Sequence, residues 1–223
     1  MSNTDSFIEE VTEEVRRDRL YGYLKRYGWI AGLVIVLIVG AAAFNEYRNA
    51  QADAAAQALG DAMLAGLRED DEAAARAAAL STVEAGTAEG AAILAFLTAG
   101  VQADAEETAQ AVETLNTVSN NADIPLIYRQ VATFKALTLQ ADTLDIDARR
   151  AGFEALAVPG VSLRVVAEEQ LALIDIESGN VDGAIERFRA ILEDAEATTG
   201  LQRRALQAIV ALGGSPSADE ANE

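Results

Sequence analysis

The sequence predicts an all-α chain, with a single N-terminal transmembrane helix followed by a solenoid of short helices. Three observations carry that prediction. Gly28 to Phe44 form an apolar run without a charged residue. Alanine supplies a large share of the remaining apolar content and there are only 3 Pro; alanine is the best helix former and lets helices pack closely. Segments with apolar residues at helical spacing then recur between turn signals along the rest of the chain.

The N-terminal tail opens with a capping-box pattern, Ser6 with Glu9, before the apolar residues Phe7, Ile8, Val11 and Val15 on one helical face. Glu13 and Arg17 stand at the i,i+4 spacing that pairs charges. Such a stripe can rest on a bilayer surface or dock a cytoplasmic partner.

The next element is the membrane segment, GWIAGLVIVLIVGAAAF. As a helix it spans about 25 Å, near the short end for crossing a bilayer. Tyr21, Tyr23, Tyr27 and Trp29 flank one end and Phe44 and Tyr47 the other, where aromatic rings suit the headgroup layers. Gly28 and Gly32 form a GxxxG pair, with Gly40 further along the same face. Small residues so placed allow a second helix to approach, although glycine is frequent in such segments without that role.

Arg16, Arg17, Arg19, Lys25 and Arg26 precede the segment and only Arg48 follows it closely. The positive-inside rule then puts the N-terminus in the cytoplasm and the remainder outside. Of 17 basic and 36 acidic residues, twelve and thirty lie beyond the membrane. The chain thus divides into an amphipathic cytoplasmic tail at 1–26, a transmembrane helix at 27–47, an outer helical domain at 48–212 and a disordered tail at 213–223.

Asn49 to Arg68 extends the membrane helix outward, with Leu59, Met63 and Leu67 at i,i+4 spacing. Turn signals recur at 69–71, 85–87, 103–104, 120–121, 142–145, 159–160, 178–180 and 199–200. About eight short antiparallel helices joined by tight turns is the architecture of an α-solenoid. Pro125 is expected in the first turn of a helix, and Asp104 with Glu107 in a capping role. Gly179 should close a helix in the left-handed conformation. Pro159-Gly160 should end another, with Ser162 capping the next. The final GGSPSADEANE is small and polar and is expected to be disordered.

The clearest repeat unit runs from Ala167 to Glu196. Against the tetratricopeptide pattern, Leu171 and Ala172 take the helix-contact positions, Gly179 the turn, and Ala184 with Phe188 the A-x3-F knob. Phe153 precedes Phe188 by 35 positions and Leu115 precedes Phe153 by 38, with Ala111 at the matching alanine. The Trp and Tyr of the pattern's first helix and its closing Pro are absent, so the repeats are degenerate.

Together, the charged tail, the membrane helix ending in Phe44-Asn45-Glu46-Tyr47-Arg48-Asn49, the alanine-rich continuation and the degenerate repeats resemble the YfgM-like proteins. Those are ancillary subunits of the SecYEG translocon of Gram-negative bacteria. The resemblance implies a cell inner-membrane anchor and a periplasmic repeat domain. It also implies association with the translocon and with a PpiD-like membrane-anchored periplasmic isomerase, in support of chaperoning exported proteins. The tail before Tyr21 is longer than is typical, and the family has no catalytic residues to carry over.

The net charge of -19 disfavours nucleic acid as a partner, because a binder must neutralise phosphates. With 0 Cys and 0 His the chain lacks a disulfide scaffold, a thiol nucleophile and the commonest general base. Glu168 with Glu169, Asp175 with Glu177, and Asp70-Asp71-Glu72 read as solvated faces or caps. Asp142, Asp145 and Asp147 lack the Gly and Glu of a calcium loop. No phosphate loop or GxSxG occurs. The expectation is a non-enzymatic protein-binding module with no cofactor, metal or small-molecule substrate. The alternatives are an envelope scaffold serving division or stress-response machinery, and a soluble binder released by cleavage near Ala41-Ala42-Ala43. Mass spectrometry of the mature chain should find no cleavage after the alanines; a product beginning near Asn45 would establish the soluble form.

Overall fold

The computed structural model describes residues 3–68 and 72–215, with backbone only for 3–24 and 31. All regular structure among these residues is helical. It forms two compact units, residues 1–57 and 58–223. The first is the N-terminal part of α1 (Asn3–Arg68). The second holds the end of α1 with α2 (Ala73–Ser81), α3 (Ala88–Asp104), α4 (Thr108–Ser119) and α5 (Leu126–Leu139). It continues with α6 (Ile146–Leu156), α7 (Arg164–Glu177), α8 (Val181–Glu193) and α9 (Thr199–Ala211).

In the first unit α1 runs through the expected boundaries at 26 and 47 without a break. Ser6 lies inside α1, whose first residue is Asn3, so it does not start the helix. The side chains of the expected stripe Phe7, Ile8, Val11 and Val15, and of the Glu13–Arg17 pair, lie outside the described residues. Every described side chain from Lys25 to Gln57 is exposed. Here lies one candidate membrane-spanning segment, with a mean hydropathy of 2.2 over its most apolar window and none of that window buried.

The second unit is built on a row of four small cores. Met63, Ala77, Leu80, Leu94 and Val101 join the end of α1 to α2 and α3. Ala92, Ala99, Ala111, Leu115, Val118 and Ala132 join α3, α4 and α5. Leu137, Phe153, Leu156, Ala167, Leu171 and Ile174 join α5, α6 and α7. Ala172, Ala184, Phe188, Ile191, Leu201 and Ile209 join α7, α8 and α9. Neighbouring cores share one helix: α3, α5 and α7 each split their buried residues between two cores. Alanine makes this possible, because it brings two backbones close and leaves the volume to one large partner.

Side-chain caps start four of the helices. Thr87 accepts from the Gly90 N–H at 3.0 Å, Asp145 from Asp147 at 2.9 Å, Asn180 from Gly183 at 3.2 Å and Thr198 from Leu201 at 3.3 Å. Gly179, at φ +79, closes α7: its N–H donates to Ile176 O and that of Asn180 to Asp175 O, the paired bonds of a Schellman motif.

Three expected helix starts shift. Pro125 precedes α5 as its N-cap residue at ψ 142, and its carbonyl accepts the first helical bonds. Asp104 ends α3 instead of capping α4, because the buried Val101 and Gln102 carry the helix on to it. Glu107 is the N-cap residue of α4, without a side-chain cap. Ser162 caps nothing. Turn bonds from Val161 to Val158 and from Arg164 to Val161 carry the chain past it, and Leu163 is the N-cap residue of α7. Gly213 and Gly214, expected in the disordered tail, instead close α9 through bonds to Val210 O and Ile209 O.

Glu106 repeats the Schellman geometry after α3 at φ 63, its N–H on Ala103 O and that of Glu107 on Gln102 O. This left-handed conformation strains a residue with a Cβ. Glu106→Gly should raise stability by about 1 kcal/mol, read as a higher denaturant midpoint. Phe188→Ala empties the largest position of the last core and should cost about 3–5 kcal/mol in the same measurement.

Candidate functional site: an exposed apolar helix and a charged cleft

Along α1 the anchor candidates are exposed. Trp29 is 67% exposed, Phe44 63% and Tyr47 61%. A Cβ added at Gly28, Gly32 or Gly40 would meet no atom within 4 Å, so the fold itself does not call for glycine there. Tyr47 accepts a hydrogen bond from Gln51 Nε2 at 2.9 Å, one turn along. Left in water, each large side chain here forgoes about 1.5–3 kcal/mol of burial.

The repeat residues lie inside the second unit. Ala111 and Leu115 are buried in the α3–α4–α5 core, Phe153 and Leu171 in the α5–α6–α7 core, and Ala172, Ala184 and Phe188 in the last core. Leu171 and Ala172, adjacent in sequence, thus serve different cores. The Phe153 ring meets Phe134 edge-on at 5.5 Å between centroids.

Beside the last two cores a cleft of about 760 Å³ opens along α7 and α8, with Arg150, Arg164, Glu168, Asp175 and Arg187 among its walls. At its centre is Asp175, only 4% exposed. It accepts from Arg150 Nη1 at 2.8 Å and from Arg187 Nε at 2.8 Å. Arg187 Nη1 also donates to Glu168 at 2.8 Å. At the far end Arg164 pairs with Asp194 at 2.8 Å and Glu196 at 2.7 Å. Around the cleft Glu177 pairs with the buried Arg149, and Glu169 takes both Nε and Nη2 of Arg204 at 2.7 and 2.8 Å.

These pairings correct the reading of Glu168, Glu169 and Asp175 as solvated faces or caps, whereas Glu177 stays exposed while it pairs. Each carboxylate meets an arginine on another helix, 12 to 35 residues away in the chain. Charge pattern along one helix could not reveal that. One signal was present: Asp175 follows Leu171 by four positions and Arg149 precedes Phe153 by four, so each polar residue falls on a buried stripe. Burial would raise the Asp175 pKa, but the hydrogen bonds from Arg150 and Arg187 outweigh it and hold the carboxyl below its usual range. The cleft therefore fastens α6, α7 and α8 to one another through mutually satisfied charges.

Asp145 caps α6, Glu72 is the N-cap residue of α2, and Asp70 and Asp71 lie outside the described residues. Among the described residues no three acids stand where they could hold a metal ion.

Asp175→Ala leaves two guanidinium groups without their shared anion. Since the Arg150 and Arg187 side chains are 26% and 34% exposed, the expected loss is about 2 kcal/mol, below that of a fully buried pair. The pH sign follows from a folded pKa below the unfolded one. The contribution is complete above about pH 4 and disappears as pH falls through the folded value. Thermal unfolding of the wild type and Asp175→Asn between neutral and acid pH should show their Tm gap closing in acid.

No family model matches this chain, and neither does any curated protein or solved structure.

Proposed function

We propose that this chain is a membrane-anchored protein-binding module. α1 crosses the cell inner membrane once with its N-terminus in the cytoplasm, and the helical unit stands in the periplasm as an α-solenoid of degenerate tetratricopeptide-like repeats. Its suggested place is as an ancillary subunit of the SecYEG translocon, working beside a PpiD-like isomerase on exported proteins. The translocon and isomerase rest on the resemblance of the chain's layout to the YfgM-like proteins.

The observation that carries the binding-module reading is the row of cores linked by shared helices. Nearest-neighbour packing of this kind characterises repeat proteins, which present extended surfaces to partners. Positions 35 residues apart support a repeat: Ala132 with Ala167, Ala136 with Leu171, Phe153 with Phe188 and Leu156 with Ile191 are all buried. The pattern departs at Arg149, where the equivalent position of α8 is Ala184. An exposed apolar helix on the same chain supports the anchor, which raises the local concentration of the module at the bilayer.

Gentle detergent extraction of a C-terminally tagged chain, followed by mass spectrometry, tests the reading. Translocon subunits and a membrane-anchored prolyl isomerase should co-purify. A chain with residues 1–47 replaced by a cleavable signal peptide places the contact: retained partners put it in the repeats, lost partners in the anchor or tail. Enrichment of division or outer-membrane-assembly proteins would favour the envelope scaffold. A sample with no membrane complex at all would remove the binding-module reading.

A further inference from the structure

α3, α5 and α7 each turn one face to the core behind them and another to the core that they share with the next helix. On that forward face Ala99, Leu137 and Ala172 hold matching positions, 38 and 35 residues apart, and all three are buried. Leu115 of α4, Phe153 of α6 and Phe188 of α8 sit with them in the same cores. The next matching position is Leu206 of α9, 34 residues further on, and it is 40% exposed. Ile176 of α7 is packed against the last core, whereas Val210, again 34 residues on, is 60% exposed. The backward face of α9 is filled as usual, by Leu201, Ala205 and Ile209. No described helix covers the forward one.

Terminal helices of repeat proteins need a polar outer face for solubility, so Leu206 and Val210, one turn apart, are out of place there. The charge around them says what fits. α9 contains Arg203 and Arg204 and no acid. Arg204 is held by Glu169 of α7. Arg203, three residues before Leu206, is exposed and makes no hydrogen bond or ion pair with a described residue. Past Val210 stands the negative end of the α9 dipole, and residues 216–223, PSADEANE, add three acids and no base. The stripe is thus positive at one end, apolar in the middle and negative at the other. Such a pattern is complementary to itself when turned end for end, which is what a two-fold contact requires. It also lies where residues 197–218 hold no acid, so that two copies of a chain of net charge -19 repel one another less there.

We propose that α9 pairs with α9 of a second copy of this chain, antiparallel and about a two-fold axis. Leu206 of each copy packs on Val210 of the other. Arg203, three residues before Leu206, then comes level with Gly213, three residues after Val210, at the C-terminal end of the other α9. Each α9 supplies the helix that the other's forward face lacks, and two rows of cores join end to end. One helix pair buries little area by the standard of stable dimers, so the contact is weak. It goes beyond the protein-binding reading and does not rest on it, because it uses only the row of cores and α9.

The test uses the full chain, which has 0 Cys, reconstituted in lipid vesicles and oxidised with copper phenanthroline. Chains carrying Leu206→Cys and Val210→Cys, with tags of different size, are mixed; both positions are exposed, so neither change empties a core. The mixed disulfide should form faster than either same-site disulfide, because the antiparallel register brings position 206 onto position 210. Thr143→Cys, on the exposed turn before α6, gives the rate of random collision. Arg203→Glu should slow the mixed link about tenfold, and Arg203→Lys should preserve it. A mixed link no faster than that of Thr143→Cys, same-site links that outrun the mixed one, or no effect of Arg203→Glu would overturn the proposal. If no membrane complex co-purifies with the chain while the mixed link forms, the binding-module reading fails and this contact stands.

Discussion

Between Trp29 and Phe44, α1 carries apolar side chains around its whole circumference, and none of its most apolar window is buried. Ile30, Leu33, Val34, Ile35, Val36, Leu37, Ile38 and Val39 are all exposed. Covering eight such side chains is worth about 15 kcal/mol, as much as the whole stability of a typical domain. A helix satisfies its own backbone hydrogen bonds, so a bilayer can supply that cover without further protein. The proposed anchor follows from this one requirement, while its proposed orientation rests on the basic residues that precede the segment.

The second unit meets a different demand with little material. Many of its buried positions are alanine, which adds scant apolar area but permits close helix approach. Each core then needs only a few large side chains, such as Leu80, Leu115, Phe153 and Phe188. Where volume is short, charge fixes the helices instead. Asp175 between Arg150 and Arg187 ties α6, α7 and α8, and Arg204 on Glu169 ties α9 to α7. Such pairs are worth modest energy at a partly exposed cleft, but a bidentate contact sets the register of one helix against the next.

Much of the helical layout was legible because period and punctuation agree. The apolar spacing of α4, α7 and α8 and the glycine at Gly179 mark those elements directly in the sequence. The caps were less legible. Pro125, Asp104 and Ser162 are plausible helix starters by type, yet the start is decided by where burial ends the preceding helix and how the turn closes. At Glu106 the turn closes in the left-handed region without a glycine, which leaves no compositional trace. The charged cleft was hidden for another reason: its partners are distant in sequence, and only Asp175 and Arg149 on apolar stripes betray it.

The anchor and the row of cores carry the functional proposal, with one holding the chain at a surface and the other offering an extended helical face. Topology is the most direct test, and a chain with 0 Cys suits it. Single substitutions Ser6→Cys and Thr143→Cys, probed with a membrane-impermeant maleimide on intact spheroplasts, read the two ends separately. The proposed topology predicts that Thr143→Cys labels at once and Ser6→Cys only after permeabilisation. The reverse order, or labelling of both in intact spheroplasts, would contradict it.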